Sequence, residues 1–144
     1  MFIEQISKLL PLVMREFSRR YASDISRGKI TLPQLSLLEF LFSNEHAKMT
    51  EVARSLSVTT AAATGIVGRL VRSGYITREA DQFDRRVIKV CLTQKGRRWV
   101  NGIIRQREET LGEIFGQLSQ EEQNDYLRII RRIYGIVSGE KDNE

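Results

Sequence analysis

The 144-residue sequence is 41% hydrophobic and 28% charged, with a formal net charge of +5, the balance of an ordinary globular chain rather than a disordered one. No apolar run reaches the roughly 18 residues that span a bilayer, and one cysteine cannot close an internal disulfide, which fits a cytoplasmic setting. The charge is unevenly placed: residues 66–107 hold 11 basic and 3 acidic side chains, whereas residues 108–144 hold 4 basic and 9 acidic.

The N-terminal stretch "MFIEQISKLLPLVMREF" places Ile3, Ile6, Leu10, Val13, Phe17 and Tyr21 at three- and four-residue steps, one face of an amphipathic helix rather than a signal peptide. Pro11 falls inside that pattern and predicts a kink or a new start. A second helix opens at "ITLPQL", with Thr31 as N-cap and Pro33 in the first turn; Leu35, Leu38, Leu41 and Phe42 form its apolar face. A third, short helix fits "TEVARSLS", with Thr50 as cap and Val52, Ala53 and Leu56 inward. After a tight connection at Ser57 and Val58 comes "TTAAATGIVGRLVRSG", whose helical face carries Ala63, Ile66, Val67 and Leu70. Past Gly74 the period changes to two: "YITREAD" and "RVIKVCLT" read as a hairpin with the polar tip "QFDRR". Thr93 caps a long helix carrying Val100, Ile104, Leu111, Phe115 and Leu118. Ser119 and Glu122 make a capping box for the last helix, whose inner face is Tyr126, Ile129, Ile130, Ile133, Tyr134 and Val137. Residues 140–144 read as a frayed tail.

This order describes a mainly α chain with a small two- or three-stranded β wing. It is a winged helix-turn-helix over residues 31–96, flanked by dimerisation helices at 1–30 and 97–139. The basic middle suggests a polyanion partner, with a solvated basic surface as the alternative. On a helical wheel the outward side of 59–74 is nearly bare: Ala61, Gly65, Gly68 and Arg72, flanked by Thr64 and Arg69. Each interior glycine costs about 1 kcal/mol relative to alanine. A tolerant exposed face or a close helix crossing would explain them; so would entry of the helix into a DNA major groove about 12 Å wide. On the groove reading Thr59, Thr60 and Thr64 offer hydroxyls, and Thr60 and Thr64 add methyls for thymine contact. At the hairpin, Arg85, Arg86 and Lys89 supply charge, an arginine on a thin wing suits the minor groove, and Asp84 can hold a guanidinium in bidentate geometry.

The segments "ITLPQLSLLEFL", "EVARSLSVTTAAATGIVGRLVRSGYITR" and "DRRVIKVCLTQKG" resemble the MarR family of transcription regulators. The resemblance rests on the wing pattern D-x-R (Asp84, Arg86), followed by a strand and L-T-x-x-G (Leu92, Thr93, Gly96). It also rests on "RLVRSG" followed by Tyr75 and Ile76. It implies a homodimeric regulator of double-stranded DNA, with one recognition helix per major groove, Arg86 as the wing-tip groove residue and Asp84 as its orienting partner. The expected dimer packs the first helix with the last two, burying Ile3, Ile6, Leu10, Ile130, Ile133 and Val137. The resemblance further implies a small amphipathic or phenolic effector. Aromatic residues available to a pocket are Phe17, Tyr21, Phe40, Phe42 and Trp99, for which ordinary core packing is the alternative. Members of the family often carry a polar or charged residue where this chain has Gly68, which shifts expected specificity toward shape, Thr60, Thr64 and the wing.

Cys91 falls on a wing strand, where a small hydrophobe is the simple reading. His46 is expected in the loop after the second helix, and with Glu45 alone it makes no metal site. No phosphate-binding glycine motif, Cys–His pair or apolar carboxylate pair indicates an enzyme, and no cofactor is expected. A helical interaction module or antagonist that does not bind DNA is the competing class.

Overall fold

The structure, a computed structural model, describes residues 1–21 and 30–139; the side chain of Tyr21 and the tail 140–144 lie outside the described residues. Nine elements follow in order: α1 (Phe2–Tyr21), α2 (Leu32–Ser43), β1 (His46–Lys48), α3 (Met49–Ser55), α4 (Thr60–Arg72), β2 (Ile76–Ala80), β3 (Ile88–Leu92), α5 (Gln94–Phe115) and α6 (Gln120–Ser138). The chain divides into two units, Met1–Gln106 and Arg107–Glu144, with the division falling inside α5.

In the first unit α1 runs unbroken through Pro11, contrary to a new start there. Pro11 cannot donate to the carbonyl one turn back, and on this exposed helix water can take that partner's place. Thr31 caps α2 as expected, and Gln34 completes the box: its side chain accepts from the Thr31 N–H (2.9 Å), while its own N–H donates to Thr31 Oγ1 (3.4 Å). The buried face of α2 is Leu37, Leu38 and Leu41, with Leu35 and Phe42 half-buried at its margins. Leu37 was not on the predicted face. The helix "LPQLSLLEFLFS" is apolar on nearly every side, so periodicity alone could not orient it.

α3 starts one residue ahead of its expected cap. Lys48 holds the N-cap position, and the Glu51 carboxylate accepts from the Lys48 N–H at 2.7 Å, so Thr50 lies inside the helix. Both helices of the helix-turn-helix end in a six-to-one bond closed by a left-handed residue. After α3, Val58 N–H donates to Ala53 O (3.0 Å) across Ser57 at φ 52°. After α4, Tyr75 N–H donates to Leu70 O (3.0 Å) across Gly74 at φ 76°, a conformation that only glycine adopts freely.

The sheet has the order β1-β3-β2, all antiparallel. Its third strand, β1, pairs Ala47 with Val90 and His46 with Cys91, so His46 stands on a strand and not in a loop. The core joins Val52 and Ala53 of α3, Ala63, Ile66, Val67 and Leu70 of α4, Ile76, Val90 and Val100 to the α2 leucines. All four inward residues expected on α4 are buried.

In the second unit Ser119 and Glu122 form the expected capping box at the start of α6, with reciprocal bonds of 3.2 and 2.8 Å. Gln123 donates to the Phe115 and Leu118 carbonyls at 2.9 and 3.0 Å, and Phe115 lies against Tyr126 with ring centroids 4.9 Å apart.

Candidate nucleic-acid interface

The helix α4 begins at Thr59, whose hydroxyl oxygen accepts from Ala62 N–H at 3.2 Å. Thr64 Oγ1 donates back to Thr60 O at 2.9 Å, which leaves its oxygen lone pairs for an incoming donor. Thr60, Ala61, Thr64, Gly65, Arg69 and Arg72 are all exposed. A Cβ built on Gly65 would meet nothing within 4 Å, so no helix crossing within the described residues explains that glycine. Gly65→Ala is therefore expected to stabilise the fold by about 1 kcal/mol, read as a rise in urea midpoint. If the face lies against a duplex, the same variant loses DNA affinity while it gains stability. Affinity that holds or improves would mean that the backbone at Gly65 makes no close approach.

Gly68 differs. Its missing Cβ would lie 3.7 Å from an Arg78 guanidinium nitrogen and 3.8 Å from one of Arg72. Arg78 was not among the residues singled out from sequence, although the signal was present. Strand pairing sets Arg78 opposite Val90 and Ile76 opposite Leu92, so the pleat puts Arg78 on the same sheet face as Ile76 and Val90, the face packed on α4.

At the wing, Asp84 and Arg86 do not form the expected bidentate pair. One Asp84 carboxylate oxygen accepts from the Arg86 backbone N–H at 3.0 Å and stands 3.9 Å from its Nε. Asp84 thus fixes the backbone from which Arg86 projects. The Arg86 side chain is 96% exposed, and Arg85 is exposed beside it. The organiser of the tip is Asp81, which sequence reading passed over. Its Oδ1 accepts from Phe83 N–H (2.8 Å) and Asp84 N–H (3.1 Å), and its Oδ2 pairs with Lys89. Lys89 is therefore tied up as a brace across the wing rather than a free cation.

The Lys89 ammonium, then the two backbone N–H groups, hold the Asp81 carboxyl down to about 2 from its ordinary 3.8. Because the folded value is the lower one, this contribution is full above about pH 4 and is lost as pH falls toward 2. At neutral pH, Asp81→Ala is expected to speed hydrogen exchange at the Phe83 and Asp84 amides without lowering helix content. Unchanged exchange there would remove Asp81 from its organising role.

Three of the aromatic residues considered for an effector pocket have neighbours within the first unit. Trp99 packs on Tyr75 (centroids 5.6 Å), Arg97 lies over the Phe42 ring at 5.6 Å, and Phe40 packs against the core. A cleft of about 590 Å³ lies on the polar face of the sheet, lined by Glu45, His46, Glu79, Asp81, Cys91 and Arg97 among others. Burial, then the Glu79 carboxylate, push the Cys91 thiol up, which disfavours the reactive thiolate. Among the described residues no cluster of His, Cys, Asp and Glu is able to hold a metal.

The pattern L-T-x-x-G has a structural origin. Thr93 Oγ1 donates to Gly74 O (2.6 Å) and accepts from Gly96 N–H (3.1 Å), while Thr93 N–H donates to Tyr75 O (3.0 Å). Lys95 adds a bond to Ser73 O at 2.8 Å and lies over the Tyr75 ring. The exit of α4 is thereby fastened to the start of α5.

A bare-faced second helix, a tight left-handed turn before it and a charged antiparallel hairpin after it define a winged helix-turn-helix protein. Residues 30–88 match the model of the MarR family. That segment is of the MarR type, and the relatives the chain resembles are helix-turn-helix transcription regulators. The chain is 24% identical over 136 residues to the uncharacterized regulator YkoM of Bacillus subtilis, covering 90% of this chain and 88% of that one. It is 25% identical to the transcriptional repressor YetL of the same organism, covering 95% and 79%. Its fold is shared with a MarR family protein from Bacillus stearothermophilus at a TM-score of 0.81 and 23% identity, covering 95% and 96%.

Proposed function

We propose that the protein is a homodimeric repressor that binds a pseudo-palindromic site in double-stranded DNA in the cytoplasm. The observation that carries this reading is the exposed small-residue face of α4, beside a wing whose Arg86 guanidinium projects into solvent. The helix fits a major groove, with Thr60, Thr64, Arg69 and Arg72 as its polar contacts, and Arg86 enters the adjoining minor groove. Dimerisation is supported by apolar side chains left exposed on the terminal helices: Ile3, Ile6 and Leu10 on α1, and Ile130, Ile133 and Val137 on α6. A second copy covering them would remove a surface that is costly to leave in water. The domain division into dimerisation segments at 1–30 and 97–139 around a DNA-binding segment follows the same reading. No described helix is long and apolar enough to cross a membrane.

Regulation by a small amphipathic ligand remains part of the proposal on family grounds. It would act through different affinities for the DNA-competent and DNA-incompetent states.

The test is duplex binding over a salt series with sequences selected from random DNA. Each neutralised phosphate contributes about 0.9 to the slope of log affinity against log salt. The expected result is a slope of several units and a clear preference for the selected duplex. A flat salt response would instead favour a winged-helix module that binds protein.

A further inference from the structure

We propose that Arg72 and Arg78 clamp one backbone phosphate of the DNA, on the strand that runs between the groove occupied by α4 and the groove entered by the wing. This deepens the DNA-binding reading and rests on it. Two guanidinium nitrogens, one from α4 and one from β2, come within 4 Å of a single point, the place a Cβ on Gly68 would take. Neither guanidinium forms an ion pair or hydrogen bond with another described residue. Like charges brought together without a carboxylate between them favour an anion that bridges both.

The topology says which anion. In a duplex, a phosphodiester strand separates each major groove from the adjoining minor groove. A protein that places a helix in one and a wing in the other must therefore straddle that strand. Arg78 lies on the strand leading from α4 to the wing tip, and the pleat turns it back over the helix. Arg72 belongs to the same outward stripe as Ala61, Gly65 and Gly68. Gly68 is then the floor of the clamp. A methyl there would make ordinary contact with both guanidiniums, whereas a longer side chain would occupy the space needed by the phosphate oxygens. The residue that weakens base reading at this position thus makes room for a phosphate contact.

The experiment compares wild type, Arg78→Gln and Gly68→Gln by fluorescence anisotropy on a selected duplex and an unrelated one, across a potassium chloride series. Circular dichroism checks that each variant is folded. Arg78→Gln is expected to lower the salt slope by about 1 and to weaken both duplexes by a similar factor. Gly68→Gln should do the same without removing a charge. Duplexes carrying one uncharged methylphosphonate at successive positions then locate the contact. One position between the two grooves should weaken wild type and leave Arg78→Gln unaffected. A slope unchanged in folded Arg78→Gln, or methylphosphonate penalties identical in the two proteins, would overturn the clamp. Competition by inorganic phosphate that is stronger than chloride for wild type but not for Arg78→Gln would assign the site to a free anion and overturn the backbone assignment. Wild type that binds no duplex defeats the DNA-binding reading itself, an outcome distinct from all of these.

Discussion

Replacing Gly96 by alanine is expected to cost about 3 kcal/mol of stability, a size reserved for overpacking against atoms that cannot move aside. A Cβ at this position would collide with the Tyr75 carbonyl oxygen and lie 3.2 Å from Leu92 Cδ2. That oxygen is backbone and already accepts the Thr93 N–H. Relief therefore requires the start of α5 to move away from the end of α4. Such a movement breaks the Thr93 bonds to Gly74 and Tyr75 and draws Lys95 off Ser73. For a chain of this length the loss corresponds to a fall of roughly 10 °C in melting temperature. Gly102→Ala is the internal control. It lies in the same helix with nothing within 4 Å of its Cβ position, and is expected to stabilise by about 1 kcal/mol. Equal effects of the two substitutions in a urea titration would refute the steric account.

The same contact explains why the pattern L-T-x-x-G was informative before its geometry was visible. It encodes a crossing of three chain segments that admits no side chain. Elements with strong local chemistry were legible in this way. The Thr31 and Ser119 caps, the inward residues of α4 and the two wing strands each carry their signal within a few residues. Features that depend on distant partners were not. β1 has three residues, too few for their alternation to be read as a strand; it is a strand because β3 offers it hydrogen bonds. The inward side of α2 is chosen by what surrounds it, since its own sequence is apolar on nearly every side. At the wing, sequence directed attention to Asp84 and Arg86, while the carboxylate that organises the turn is Asp81. Its role depends on three partners, of which only Phe83 and Asp84 are near in sequence; Lys89 is reached across the hairpin. Arg78 was within reach of parity counting, because an even step from Ile76 fixes its face. Its approach to Gly68 was not, since the crossing of β2 over α4 is tertiary.

Arg86→Ala is expected to reduce affinity for a selected duplex by about 10- to 100-fold, the range of one well-placed base or groove contact. Stability and dimerisation should be unaffected. Among the described residues the side chain has one ion-pair contact, to Asp84 at 3.9 Å and exposed, and exposed ion pairs contribute under about 1 kcal/mol. The backbone bond from Arg86 N–H to Asp84 survives the substitution. Arg86→Ala therefore separates binding from folding more cleanly than any change in α4. Its loss should be larger when A·T pairs flank the recognised bases, because a narrow minor groove has the stronger negative potential. Arg86→Lys should recover part of the affinity but little of that dependence, since lysine keeps the charge without the planar fork. Anisotropy titrations on duplexes differing only in their flanks, with sedimentation to follow the dimer, supply all three readings. Wild-type affinity in a folded, dimeric Arg86→Ala protein would remove the wing from DNA recognition and leave α4 to carry it alone.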